Sequence, residues 1–412
     1  MNILDDQEVI ALKQMLKENA ENGQYLVSDL ILEEGSQTFQ FVDLVMEGGG
    51  TLGIALVGYI YALEQANIRF LSVGGSSVGA IVALLLSCSG KRTEEKGAKL
   101  AEVIANMDMG AFIDGGPFSA MLSRVLGSGK AGQRKLLVLW LALLSSWSLI
   151  VKLGLNPGNN FLKWLSGCLN EYGVSTLRDA QDVINYIPEG LTHRIYGAEF
   201  RKPATEFKLV TADLTTSTKV VLPEMAPLYW KNPDDVNPAM FARASMSIPG
   251  FFQPMEVSGV SKIVNSTENW KTLCSFEGKI PDKITFSDGG LLSNFPISLF
   301  HIRGVPNAPT FGARLGSQAR IVEEIDSVWS YIGNLFSSLR HYSDYDFIYK
   351  NPDYRRLIAY IPTTGHNWLN FNMSDEEKLT LFKKGMRSAQ RFLEDFDWPA
   401  YKEIRRIQLN IE

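Results

Sequence analysis

Cysteine is scarce in this sequence: Cys88, Cys168 and Cys274 are the only three in 412 residues, widely spaced and odd in number. That excludes a disulfide framework or a cysteine zinc site, and makes a reducing cytosol the simplest setting. Basic charge is short as well. With a net charge of −5 and a pI near 5.6, the chain lacks the cationic face that displaces counterions from phosphates, so no nucleic-acid partner is expected. The opening Met1-Asn-Ile-Leu-Asp-Asp-Gln-Glu has neither the basic residues nor the apolar run of a secretory signal. No Asp/Glu loop has calcium-ligand spacing, and neither metal nor other cofactor is expected. Repeats, low-complexity tracts and a clear linker to a second domain are also missing.

What is present is apolar content, 45% of residues, enough for the large core of one α/β domain with extensions. Residues 40–46 form a short buried strand in the pattern, Gly48-Gly49-Gly50 a tight turn, and Leu52 to Ala66 a helix packed on a sheet. A second strand, Arg69 to Gly74, leads to Gly75-Ser76-Ser77-Val78-Gly79 and a helix Val78–Cys88. This is the strand-turn-helix context of a G-x-S-x-G nucleophile elbow. Gly75 and Gly79 relieve the crowding of a sharp turn and leave Ser77 presented at a helix N-terminus, where partial positive charge favours an oxyanion. Consecutive amides at Gly48, Gly49 and Gly50 add further donors without side chains to block a substrate.

Two other glycine-loop readings compete. Gly48-x-Gly50-x-x-Gly53 fits a dinucleotide fingerprint, but the acid wanted at the end of the second strand is replaced by Gly74-Gly75-Ser76. A phosphate-binding P-loop would place lysine where Ile54 stands.

Further along, Phe207 to Asp213 and Lys219 to Leu222 read as strands, and Pro238 to Ser245 as a small-residue helix leading into Ser247-Ile248-Pro249. Lys283 to Ser287 is a short strand that delivers Asp288-Gly289-Gly290, an acid placed where the active-site groups of parallel sheets gather; read alone, the triplet is more often a surface turn. Strands are expected at Thr310–Arg314 and Arg356–Ile361, with helices between Ser317 and Ser343. A closing helix runs to Phe396 behind the capping box Ser374 to Glu377. Asp5 to Asn22 is an amphipathic helix, read either as packed on the domain's side or as a regulatory arm.

The ordered set Gly-Gly-Gly-x-x-Gly, Gly-x-Ser-x-Gly, Ala-Ser-x-Ser-Ile-Pro-x-x-Phe-x-Pro and Asp-Gly-Gly with Asn294 and Pro296 downstream resembles the patatin-like phospholipase family, over roughly Phe41 to Phe300. The resemblance implies a three-layer α/β/α fold with a mainly parallel central sheet. It also implies a Ser-Asp dyad: Ser77 attacks a lipid ester, Asp288 activates it, and Gly48 to Gly50 bind the oxyanion. The four histidines, His193, His301, His341 and His366, sit in no recognisable triad motif, although a histidine-based triad stays an alternative. One departure stands out, since Leu52 occupies a position that is Arg or Lys in most relatives. It leaves open a catalytically weak or silent lipid-binding protein of the same fold. A third reading is a bacterial defence or toxic effector phospholipase, switched on by a regulatory ligand or protein partner. Oligomeric state is not legible.

On this reading residues 1–36 are an N-terminal helical extension, 37–400 the hydrolase domain with an insertion at about 109–170, and 401–412 a tail. The insertion carries Leu136–Val151, apolar around its whole circumference and bracketed by bases; between Asp114 and Glu171 there is no acidic residue. As one 16-residue helix it would be about 24 Å long, too short to span a bilayer. Arg134, Lys135, Trp140, Trp147 and Lys152 are therefore candidates for a lid or for docking on an anionic membrane surface, against the alternative of a buried helix. The protein is expected in the cytoplasm, peripherally membrane-associated when active.

Overall fold

The computed structural model describes residues 2–411 apart from 128–134, 202, 265, 318–337 and 339–346. The strands are β1 Leu30–Glu34, β2 Gln37–Met46, β3 Ile68–Ser76, β4 Gly154–Asn156, β5 Thr192–His193, β6 Phe207–Asp213, β7 Thr218–Leu222, β8 Gly250–Phe252, β9 Met255–Ser258, β10 Lys283–Asp288, β11 Thr310–Leu315 and β12 Ile358–Ile361. The main sheet runs β12-β11-β2-β3-β6-β10-β9, with β1, β5 and β7 added at its sides; β4 and β8 pair separately. From β12 to β6 every neighbour is parallel, whereas β10, β9, β7, β1 and β5 join antiparallel.

Alternation along β2 sorts the two faces of the sheet. Val42, Leu44 and Met46 pack with the helices Gly53–Gln65, Val78–Cys88 and Asp375–Asp395, while Phe39, Phe41 and Val45 face the other way. Val45 belongs to the cluster that holds Trp398 and Tyr401 of the C-terminal helix Trp398–Ile411. Helices thus flank a mixed, mostly parallel sheet. The helix Asp375–Asp395 starts at the expected capping box, where Ser374 and Glu377 exchange hydrogen bonds.

The chain ends are more integrated than a helical extension and a tail. β1 pairs with β2, so residues 30–34 belong to the sheet. The first helix, Gln7–Glu21, buries Val9 and Leu16, and Asp6 and Glu8 pair with Lys383 and Arg387 of Asp375–Asp395. At the other end Trp398 and Tyr401 are buried, Lys402 Nζ reaches Asp29 at 2.6 Å, and Arg405 reaches Asp353 at 3.0 Å. Leu136–Val151 is not one helix: Lys135–Leu144 and Ser146–Val151 are separate, joined at Ser145. The helices expected between Ser317 and Ser343 lie outside the described residues, apart from a helical Ser338.

Candidate active site

The strand β6 organises the site. Its Leu209 pairs with Gly75 of β3 on one side and Leu222 of β7 on the other, and its Thr211 pairs with Asp288 of β10 and with Val220 of β7. β3 and β10 therefore share one edge of β6, and they run toward each other along it. Ser76, the last residue of β3, faces Val210; Asp288, the last of β10, faces Thr211. Consecutive residues of a strand are about 3.4 Å apart, so the two chain ends meet head on and both must turn out of the sheet there.

β3 turns at Ser77, whose backbone (φ 52°, ψ −122°) lies where L side chains are rarely found. Such a conformation persists only when its surroundings over-determine it. A Cβ on Gly79 would stand 2.4 Å from the Met46 carbonyl oxygen, and one on Gly75 would stand 2.5 Å from Gly79 itself. β10 turns at Gly289, where a Cβ would lie 2.0 Å from Val210 O and 2.6 Å from Ser76 Oγ. The elbow and the Asp-Gly-Gly turn are thus packed into each other, with Ser77 and Asp288 both buried.

One short segment braces both residues. Ser245 Oγ accepts the Ser77 N–H at 2.8 Å and donates to Val210 O at 2.6 Å, while the carbonyl of Ser247 accepts the Asp288 N–H at 2.9 Å. Arg243 fixes that segment, donating to Ser247 Oγ at 2.7 Å and to the carbonyls of Pro157 and Gln253. Burial, opposed by Asp114, lowers the Arg243 guanidinium to about 10. The Asp288 Oδ1 accepts the Gly290 N–H at 2.8 Å, which orients the carboxylate.

The glycine loop is held from a third direction. A Cβ on Gly48 would be 3.0 Å from Ser77 Cβ, so this loop lies directly on the elbow. Glu47, buried at the end of β2, accepts the Leu315 N–H at 2.6 Å and Asn294 Nδ2 at 3.2 Å, with Arg314 Nε at 3.4 Å. Asn294 in turn donates to Gly48 O and accepts the Gly48 N–H at 2.9 Å. Of the three amides expected to serve as donors, that of Gly48 is taken up by the Asn294 carbonyl. Thr51 N–H and Oγ1 both donate to Trp368 O, stapling the far side of the loop. Leu52 is buried in the main core, and the cation beside this loop is Arg314 of β11.

An apolar cleft opens at Ser77 between Gly50 and Thr51 on one side and Ile81, Phe112, Phe161 and Phe371 on the other. Its free volume of about 50 Å³ lies well below the range of small-molecule sites, about 300–1,000 Å³. Met107, Met109 and Met246, unbranched and rotatable side chains, complete its lining.

The insertion adjoins this cleft. The helix Pro117–Gly127 packs on β4, which pairs with β8, and Phe252 of β8 lines the cleft. Trp140 is 64% exposed and Ile150 75%; Lys152 is exposed too. Arg134 lies outside the described residues, as do the side chains of Lys135 and Trp147. Among the described residues no helix is long and apolar enough to cross a membrane.

The sequence named Ser77, Asp288 and the glycines as candidates, which the fold brings together, but it gave no role to Glu47, Arg243, Ser245 or Ser247. The only signals available were the acid preceding Gly48 and the Ala-Ser-x-Ser-Ile-Pro run itself.

The chain is 27% identical over 363 residues to the uncharacterized protein YqhO of Bacillus subtilis (strain 168), covering 87% of this chain and 100% of that one. Among solved structures it is similar to VipD from Legionella pneumophila (16% identity, TM-score 0.41, covering 89% of this chain and 70% of that one). It is similar also to ExoU in the heterodimeric ExoU–SpcU complex of the Pseudomonas aeruginosa type III secretion system (17% identity, TM-score 0.35, covering 86% of this chain and 51% of that one). These two superpositions are too loose to carry a functional argument. Residues 44–301, more than half of the chain, match the model of the patatin-like phospholipase family; the chain belongs to that family of lipid ester hydrolases.

Proposed function

We propose that the protein is a phospholipase A-type acyl hydrolase in which Ser77 and Asp288 form a two-residue catalytic unit. The observation that carries this reading is the head-on meeting of β3 and β10 beside β6, which brings the end of each strand to neighbouring positions. In the reaction, Ser77 Oγ attacks the ester carbonyl carbon and its proton passes to the Asp288 carboxylate. The negative charge that develops on the carbonyl oxygen is met by the Gly49 and Gly50 amides and by the first turn of the helix Val78–Cys88. Collapse of that intermediate breaks the bond to the leaving alcohol, which takes the proton from Asp288. Water then attacks the acyl-serine with Asp288 as its base, releasing the fatty acid and restoring Ser77. With the Asp288 carboxylate as proton acceptor, the proposed reaction has no step that calls for histidine.

The substrate class follows from the cleft and its surroundings. Its lining is apolar, suited to an acyl chain, and the neighbouring insertion exposes Phe118, Met121, Trp140, Ile150, Val151 and Leu153. We place this apolar surface on a phospholipid membrane, with residues 37–400 and both terminal segments acting as one catalytic body. The test is hydrolysis of phospholipid vesicles followed by mass spectrometry of the products. Ser77→Ala and Asp288→Asn should each lose at least about 10³-fold in kcat/KM while folding normally. Ser76→Ala should keep most of the activity, since that hydroxyl faces Gly289 instead of the cleft. Full activity in either of the first two variants would overturn the dyad, and no hydrolysis of any lipid ester by the wild type would favour a lipid-binding role.

A further inference from the structure

A second cavity, of about 400 Å³, lies under the other face of the sheet. It is lined by Asp43, whose position in β2 puts it on the side opposite Leu44 and Met46, and it shares no lining residue with the cleft at Ser77. We propose that this cavity binds a small organic phosphate monoester.

Charge is the first argument. Within an acidic protein the cavity gathers four cations, Arg201, Lys208, Arg303 and Arg405, against the acids Asp43 and Glu206. Lys208 is already paired with Glu206 at 3.0 Å and Arg405 with Asp353 at 3.0 Å. Arg201 and Arg303 stand exposed at the rim with no acidic partner among the described residues. Two guanidinium forks present paired donors and two permanent charges, which matches a phosphate dianion better than a single carboxylate.

Shape is the second argument. The volume lies within the range of small-molecule sites, about 300–1,000 Å³, and exceeds what an inorganic ion would fill. Phe300 and Tyr354 supply rings for an organic body, and Tyr354 is held in place by a hydrogen bond with His301 Nδ1 at 2.5 Å. The wall is also firm, because Arg405 donates to the carbonyls of Ile302 and Gly304, fixing the strand of chain that carries Arg303.

A phosphate monoester can come free in solution or on a lipid headgroup, and the experiment separates these sources. Wild-type protein is titrated with glycerol 3-phosphate and with inorganic phosphate, by calorimetry and thermal unfolding, and sedimented with vesicles of phosphatidylcholine with and without phosphatidic acid. Glycerol 3-phosphate should bind more tightly than inorganic phosphate and raise the unfolding midpoint by about 1–3 °C at saturation. The double variant Arg201→Ala/Arg303→Ala, which removes only exposed side chains, should weaken that binding about tenfold or more while short-chain ester hydrolysis is unchanged. Ser77→Ala should bind as the wild type does, which separates this site from the proposed catalysis. An effect seen only with phosphatidic acid vesicles, and lost in the double variant, would assign the monoester to a lipid. No binding of any of these at about 10 mM, or equal binding by the double variant, would overturn the proposal.

Discussion

At the elbow each neighbour is a hard stop: carbonyl oxygens of Met46 and Val210 stand where a Cβ on Gly79 or Gly289 would go, and Ser77 is buried in a strained conformation. Beside it, across β8 and β4, the insertion does the reverse. There Trp140, Ile150 and Leu153 are more than half exposed, a large apolar surface for a protein in water to leave uncovered. The elbow is packed on every side within the chain, whereas the insertion has only a small core of its own, around Leu122, Val125, Leu141 and Leu155, and among the described residues leaves its outer apolar side chains uncovered. On the proposed function, chemistry that needs fixed atoms belongs to the first, and contact with a membrane to the second.

The sharpest way to break this contrast is to add one methyl group to the elbow. Gly79→Ala should clash with the Met46 and Glu47 carbonyls, cost about 1–3 kcal/mol of stability and reduce hydrolysis about 10²-fold, measured by thermal unfolding and ester turnover. Normal activity would mean that the elbow tolerates movement. Next in size is the support of the glycine loop. Glu47→Gln keeps the size of the side chain but weakens the contacts to Arg314 and Leu315, so kcat for a soluble ester should fall about tenfold with KM nearly unchanged. A change confined to KM would assign Glu47 to binding.

For the insertion the expected effect is on association alone. Trp140→Asp with Ile150→Asp should weaken binding to phospholipid vesicles about tenfold or more, since each buried side chain of this size contributes about 1.5–3 kcal/mol, and should spare turnover of a soluble short-chain ester. Unchanged vesicle binding by the folded variant would move the membrane contact elsewhere.

The smallest effect concerns the far face. Burial raises the Asp43 carboxyl to about 7, against the Ser72 amide and Arg92, which lower it. A carboxyl raised in the folded state favours folding fully at pH values below its unfolded value and loses that contribution as pH climbs through 7. Wild-type stability should therefore decline from about pH 4 to 8, and Asp43→Asn should flatten the decline. Because the carboxyl borders a cavity open to water, we expect a difference of about 1–2 kcal/mol at the alkaline end, read from denaturant midpoints. An unchanged pH profile would show that Asp43 is already solvated.

The same contrast explains what could be read from the sequence. β2, β3 and the helix Val78–Cys88 were legible because hydrophobic runs and obligatory glycines are local facts, and Ser374 with Glu377 announced the helix Asp375–Asp395 for the same reason. The bonds from Ser245 to Ser77 and from Glu47 to Leu315 join residues 168 and 268 positions apart, and no periodicity encodes such a pairing. The antiparallel direction of β10 was hidden too, since a short strand looks alike from either end. Leu136–Val151 misled because its apolar residues outweighed Ser145 and Ser146, the polar pair at which the helix breaks.

The end-to-end meeting of β3 and β10 also orders events during synthesis. Ser77 leaves the ribosome long before Asp288, with β6 and the whole insertion in between, and domains are completed only as their distant strands arrive. On the proposed mechanism, a nascent chain, or a fragment cut short of β10, carries the nucleophile without its proton acceptor. By that mechanism lipolysis can begin only once β10 has joined β6, so the topology itself would delay the hazard that a loose lipase poses to membranes.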